Sequence, residues 1–361
     1  MQIRYSCYFG SSGYAVSAFD YLRSMQTVKP DCDIKTSTLN EFRKQSGISQ
    51  EHYEWFNQLK KTPLKTDYIS VQHCIPRIYA KNKAKKNIGI SVYETIDPPK
   101  PWIQKMNEMD HIITASHFNE GVFKSGGVTA PISVVPHCFD STLFNDKTMA
   151  RGRYNLFTFM YISTWKQRKN FSSLIRAFYN EFSESDNVCL LLKTDKKEDL
   201  KKTILTIKND GFKTKKTSPI YTEEEKLTFE EIPRFIKKAD VYISPSLGEG
   251  FGISNLHAMA LKIPLITTKY SGCLEYAKPE YCTYIEPNGY KQFNQMDGYS
   301  QFHNKIWPDI RVSEIQNKMR FVFSSYPTAQ KKANNAYNYV HQHFNYNIIG
   351  RRFLSAIGEK E

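Results

Sequence analysis

Short apolar, β-branched runs alternate with stretches of helical period along most of this chain. IRYSCYFG reads as a strand ending in a glycine turn. GYAVSAFDYLRSM follows, and its Ala15, Ala18, Phe19, Leu22 and Met25 share one helical face. DYISVQHC and NIGISVYET have the composition of strands buried on both sides, and HIITAS and ISVVPH add two more. After a polar break in FNDKTMARGRYN the alternation resumes. It runs through a strand in LFTFMYIS, a helix in NFSSLIRAFYNEF, a strand in NVCLLLKT, a helix in TFEEIPRFIKKA and a strand in DVYISPS. The helix GISNLHAMALK and the strand PLITTK complete it, and from about Ile315 the chain reads as an amphipathic helical tail.

This order predicts parallel sheets covered by helices, an α/β protein. The expected division is an N-terminal domain over 1–150, a C-terminal domain over 151–335, and a helical tail over 336–361 that packs back on the first. Two doubly wound domains imply a crevice at the carboxyl ends of their strands, where ligands of such folds bind.

Composition narrows the class. The chain has 361 residues, long for one core and suited to two domains. No apolar run approaches the ~20 residues of a membrane span, and the N-terminus lacks the basic-then-apolar layout of a signal peptide. A cytoplasmic protein is expected. The seven cysteines are widely spaced with no CxxC, which argues for buried thiols over zinc or a disulfide framework. The net charge of +14 points towards anionic partners: nucleic acid, anionic lipid headgroups or phosphorylated substrates.

The candidate chemistry lies in DVYISPSLGEGFGISNLHAMALK. A strand ends at Ser244-Pro245-Ser246, a loop of Gly248, Glu249, Gly250, Phe251 and Gly252 follows, and a helix opens at Ile253 and Ser254. Glycines let backbone approach a ligand, and a helix N-terminus offers unpaired N–H groups and a positive dipole end to a phosphate. Glu249 could accept hydrogen bonds from several sugar hydroxyls. Gly10-Ser11-Ser12-Gly13-Tyr14 is a second glycine turn, but it is no GxGxxG, so a dinucleotide enzyme is not supported. His73 and Glu94 are placed at strand ends, on the ligand edge of the N-terminal sheet.

The segment resembles the donor-site signature of the retaining glycosyltransferases of family 4, through Pro245-Ser246, Glu249-Gly250-Phe251-Gly252 and Ala258-Met259-Ala260. Lys169-Asn170 in YISTWKQRKN, together with ASHFNEGVFKSGG and VVPHCFDSTLF, extends the likeness over most of the chain. The resemblance implies a GT-B architecture, two Rossmann-like domains facing across a donor-binding crevice. It implies transfer of a hexosyl or pentosyl group from a nucleoside-diphosphate sugar to an acceptor hydroxyl with retention. The nucleotide sugar is then a substrate, with no cofactor and no metal. Glu249 would hold the donor sugar, Lys169 and Arg168 the diphosphate, and N–H groups from Phe251, Gly252, Ile253 and Ser254 the phosphates, with Gly250 a further donor contact. Lys193 would lie near the base, and Gly13 would face the donor phosphates. His73 and Glu94 are assigned to the acceptor and sugar pocket.

Two positions depart from the pattern. His257 replaces the second glutamate, which usually meets the ribose, and Ser163 stands where the family often has an arginine. They favour an alternative, a catalytically weakened sugar- or nucleotide-binding homologue. The acceptor stays open between a saccharide, a lipid-linked sugar and DNA, and peripheral contact with anionic membrane or nucleic acid is compatible with the charge. A DNA-modifying glycosyltransferase is the version that uses the charge most directly.

Overall fold

The computed structural model describes residues 2–43, 47–150, 152 and 154–359. The chain forms two compact units, each around its own parallel sheet. Unit 1 comprises Met1–Thr142, Lys226–Glu230 and His341–Glu361; unit 2 comprises Leu143–Glu225 and Glu231–Val340. The chain therefore divides at Thr142, ahead of the polar break.

Unit 1 runs β1 (Gln2–Cys7), α1 (Gly13–Val28), β2 (Ile34–Thr38), α2 (Gln50–Lys61), β3 (Tyr68–His73), β4 (Lys86–Ile90), α3 (Lys100–Asn107), β5 (His111–Thr114), α4 (His117–Ser125) and β6 (Ile132–Val134). Its strand order is β2-β1-β3-β4-β5-β6, with every pairing parallel. Ser12 caps α1 by accepting the Ala15 N–H at 3.3 Å, so the first glycine turn passes directly into a helix. NIGISVYET is strand only as far as Ile90; Val92 to Glu94 lie in the following loop. There the side chain of Asn119 clamps Tyr93 by its carbonyl at 2.6 Å and its N–H at 3.3 Å.

Unit 2 runs β7 (Phe157–Ile162), α5 (Phe171–Glu181), β8 (Val188–Lys193), α6 (Lys197–Gly211), β9 (Ile220–Thr222), α7 (Ile232–Ile236), β10 (Val241–Ser244), α8 (Ile253–Ala260), β11 (Leu265–Thr268), β12 (Thr283–Ile285), a hairpin β13 (Tyr290–Phe293) and β14 (Lys305–Pro308), and α9 (Val312–Ser324). Helix α7 is shorter than TFEEIPRFIKKA suggests because Pro233 allows a helix only from its own first turn. The sheet order is β12-β11-β10-β7-β8-β9, again all parallel. The chain winds outward from β7 to β9 and then restarts on the other side of β7 with β10. The carboxyl ends of β7 and β10 thus flank the point where the winding reverses.

Helix α10 (Tyr326–His343) begins in unit 2 and ends in unit 1, and α11 (Tyr346–Ile357) lies on α1. A Cβ at Gly350 would sit 2.2 Å from the Ser24 carbonyl, so the two helices approach with no room for a side chain. Tyr346 donates to Asp20 at 2.7 Å, and Phe353 stacks obliquely on Tyr21 at 4.9 Å in the same interface.

Candidate donor-sugar site

The loops after β7 and β10 meet in unit 2. After β7 the chain makes a single 3-10 turn, Gln167–Lys169, and passes through Asn170 in the left-handed region (φ 58°) into α5. The Leu247 N–H donates to the Arg168 carbonyl at 2.7 Å, and Asn170 Nδ2 donates to the Pro245 carbonyl at 3.2 Å. These bonds, one between backbones and one from the Asn170 side chain, tie the two loops before any charge is considered.

Glu249 is held the same way. Its N–H donates to Ser271 Oγ at 2.9 Å, and its carbonyl accepts the Gly272 N–H at 3.0 Å. A Cβ at position 272 would lie 2.0 Å from the Gly250 carbonyl oxygen, so only glycine permits this approach. Gly252 has φ +84°, and a Cβ there would meet Tyr276 Oη at 2.9 Å. That hydroxyl donates to the Phe251 and Gly252 carbonyls at 3.0 and 2.5 Å. The Gly252 carbonyl also accepts the Asn255 and Leu256 N–H groups at 3.0 and 3.3 Å, so it starts the α8 hydrogen-bond ladder, and the N–H groups of Ile253 and Ser254 lie ahead of that ladder. Phe251 itself is buried, its ring 5.0 Å from Tyr276.

At the meeting point Lys169 Nζ lies 2.5 Å from Glu249 Oε1, and Arg168 Nη1 lies 3.7 Å from Glu249 Oε2. Arg168 Nη1 also donates to the Gly248 carbonyl at 3.2 Å. The Lys169 and Glu249 side chains are 10% and 14% exposed. Burial pulls the Glu249 carboxyl upward, but Lys169 and Arg168 outweigh it and hold the group below the usual carboxylate range. The result is an anion beside two cations and a helix N-terminus, at the switch point of a parallel sheet. Such a constellation can accept sugar hydroxyls at one oxygen pair and neutralise a diphosphate at the two cations.

Lys193 closes β8, where it pairs in register with Ile162 and donates to the Glu225 carbonyl. Burial pushes its ammonium below the usual lysine range. Ser163 follows β7, and its N–H donates to the Lys193 carbonyl at 3.1 Å. His257, expected at the ribose, is 4% exposed and stacks on Phe144 at 4.0 Å, with burial lowering its pKa to about 3. The structure places it in the core of unit 2.

The N-terminal residues lie in unit 1. Gly13 opens α1 and has open space around its Cβ position. Glu94 is half-buried in the loop after β4. His73 ends β3 as predicted, yet it is 1% exposed: Nδ1 is 2.9 Å from Tyr5 Oη and Nε2 is 3.3 Å from Ser17 Oγ. Burial and the neighbouring His137 lower its pKa well below the ordinary value. The strand-end position was legible; the helix α1 and aromatic rings that cover it were not. Sequence reasoning missed Ser271, Gly272 and Asp297. Ser271-Gly272 directly after a strand was a usable signal, whereas Asp297 carried only the signal of a turn.

Among the described residues no group of three or more His, Cys, Asp or Glu side chains is arranged to hold a metal ion, and no helix is long and apolar enough to cross a membrane.

Known proteins share the fold of this chain. A curated relative, uncharacterized protein 356 of Sulfolobus islandicus rod-shaped virus 1, is 20% identical over 276 residues, 75% of each chain. Anabaena HepE, solved in complex with UDP-glucose, superposes with a TM-score of 0.72 at 13% identity over 100% of both chains. Sucrose-phosphate synthase from Thermosynechococcus elongatus gives 0.66 at 13% identity over 98% of both. Residues 151–295 match the family model described as glycosyl transferases group 1. The matched segment holds Lys169, Glu249 and the start of α8, within a chain that has the GT-B fold.

Proposed function

We propose that the protein is a retaining glycosyltransferase that takes its sugar from a nucleoside-diphosphate sugar bound at the end of β7 and β10. The observation that carries this reading is the convergence of Glu249, Lys169, Arg168 and the α8 N-terminus within one site. As the anomeric bond breaks, negative charge grows on the departing diphosphate. Lys169, Arg168 and the N–H groups of Ile253 and Ser254 stabilise it there, without a metal. Glu249 exchanges its lysine contact for the donor-sugar hydroxyls. The leaving phosphate takes the acceptor proton as the acceptor oxygen attacks the same face, so the anomeric configuration is kept and no enzymic nucleophile is required. Solved structures with UDP or UDP-glucose in relatives of this fold support a uridine nucleotide as the first donor to test.

The acceptor is proposed as an anionic molecule on the strength of the +14 charge. DNA and a phosphate-bearing lipid-linked sugar fit that description, and a saccharide fits it where it carries acidic groups. Glu94 and Gly13 are kept as proposed contacts of the acceptor side, while His73, with its ring enclosed, supports that side by holding Tyr5 and Ser17.

A thermal-shift screen against UDP-, GDP-, ADP- and dTDP-sugars tests the donor site. A ligand bound only by the native state raises the melting temperature by mass action. One nucleotide class should shift it, and Glu249→Ala and Lys169→Ala should each weaken the shift. Failure of every nucleotide would turn the reading to a repurposed domain.

A further inference from the structure

Asp297 lies in the β13–β14 turn, just beyond the matched segment, and its carboxylate is wholly buried (0% exposed). Its Oδ1 accepts the Arg168 main-chain N–H at 3.0 Å, and its Oδ2 lies 2.9 Å from Arg168 Nε. One carboxylate thus grips both the backbone and the guanidinium of the same arginine. What remains of the guanidinium points along the Gly248–Glu249 loop, with Nη1 at 3.2 Å from the Gly248 carbonyl and 3.7 Å from Glu249 Oε2. The hairpin makes a second contact with the loop that carries Arg168, since Lys166 Nζ sits 4.4 Å above the Tyr299 ring.

The turn is built to be rigid. Asp297 and Gly298 both have left-handed backbones (φ 59° and 72°), a conformation that Asp tolerates and β-branched residues do not. Met296, Phe302 and Trp307 are buried beneath it, and Phe302 meets Trp307 edge-on at 5.2 Å. A carboxylate fixed to this frame gives Arg168 one orientation before any ligand arrives.

We propose that Asp297 is a positioning residue of the donor site, orienting Arg168 so that its terminal nitrogens face an incoming diphosphate. The inference rests on the donor-site reading above. Two cations and two carboxylates balance in this cluster. A diphosphate displaces Glu249 from the cations, whereas Asp297, ion-paired with Arg168 Nε and hydrogen-bonded to the Arg168 main-chain N–H, stays in place and keeps the fork aimed.

Asp297→Asn tests this, because Asn accepts the left-handed turn and can still accept the Arg168 N–H, but carries no charge. UDP, GDP and ADP are titrated calorimetrically into wild type, Asp297→Asn, Arg168→Ala and the double variant, with Arg168→Lys in place of Arg168→Ala should that variant fail to fold. The nucleotide that binds wild type should bind Asp297→Asn roughly tenfold more weakly, the scale of one hydrogen bond to a charged group. In the Arg168 background the second substitution should cost no further nucleotide affinity. Equal losses in both backgrounds, or unchanged or tighter binding by Asp297→Asn, would overturn the positioning role while leaving the donor site standing. A wild-type protein that binds none of the three nucleotides would overturn the donor-site reading, and this role with it.

Discussion

Lys169 and Glu249 neutralise one another in the free protein, and the proposed reaction calls each elsewhere when a donor binds. That exchange makes their variants unequal. Lys169→Ala leaves the Glu249 carboxylate in a site that is 14% exposed, with Arg168 at 3.7 Å as its near cation. It also removes a cation from the departing diphosphate. Turnover should fall by about 10²–10³, the loss typical of removing one fixed group that stabilises developing charge, measured as kcat with saturating donor. Buried histidines give a second prediction. His257 and His137 both have pKa values lowered to about 3 by burial, against 6.5 when unfolded. Above pH 6.5 neither state binds these protons. Below it the unfolded chain takes up protons that the native chain refuses, so stability falls as pH drops from 6.5 towards 3, by about 1.4 kcal/mol per pH unit for each such histidine. The urea midpoint should decline over pH 6.5 to 5, and His257→Gln should flatten that decline.

At the scale of elements, the donor site is a join between two strand-end loops, and its tightest point is Gly272 against Gly250. Gly272→Ala would place a methyl 2.0 Å from the Gly250 carbonyl oxygen, where only backbone movement can relieve the clash. That movement shifts Glu249, whose main chain bonds to Ser271 and Gly272. The expected outcome is a loss of ~1–3 kcal/mol in stability, as for other overpacked sites, together with loss of the nucleotide thermal shift. A variant that melts lower but keeps the full nucleotide shift would show that the loop tolerates displacement. Gly350 plays the corresponding structural role between α1 and α11 in unit 1.

For the whole molecule, the charge of +14 is the property most open to a direct test. Retention on heparin or duplex DNA at low salt is expected. The logarithm of the affinity should fall linearly with the logarithm of salt concentration, with a slope that counts the phosphates neutralised. Failure to bind either polyanion would remove DNA from the acceptors and leave saccharide or lipid-linked sugar.

The resemblance to a known family joined Lys169 to the Glu249 motif across 80 positions; the sequence by itself determined the α/β alternation and the glycine-rich turn after DVYISPS. These are local properties: strand and helix periods, turn residues, and a loop whose glycines and carboxylate sit within a few positions. Tertiary structure alone decided the rest. Arg168 and Asp297 are 129 positions apart, and no period or spacing links a turn of the β13–β14 hairpin to the loop after β7. The same holds for His73, which the pattern puts at a strand end, as observed, but which α1 and the surrounding tyrosines bury. Whether a polar residue at the edge of a sheet meets solvent depends on what the chain folds over it. That cover comes from segments whose sequence carries no record of the residue beneath.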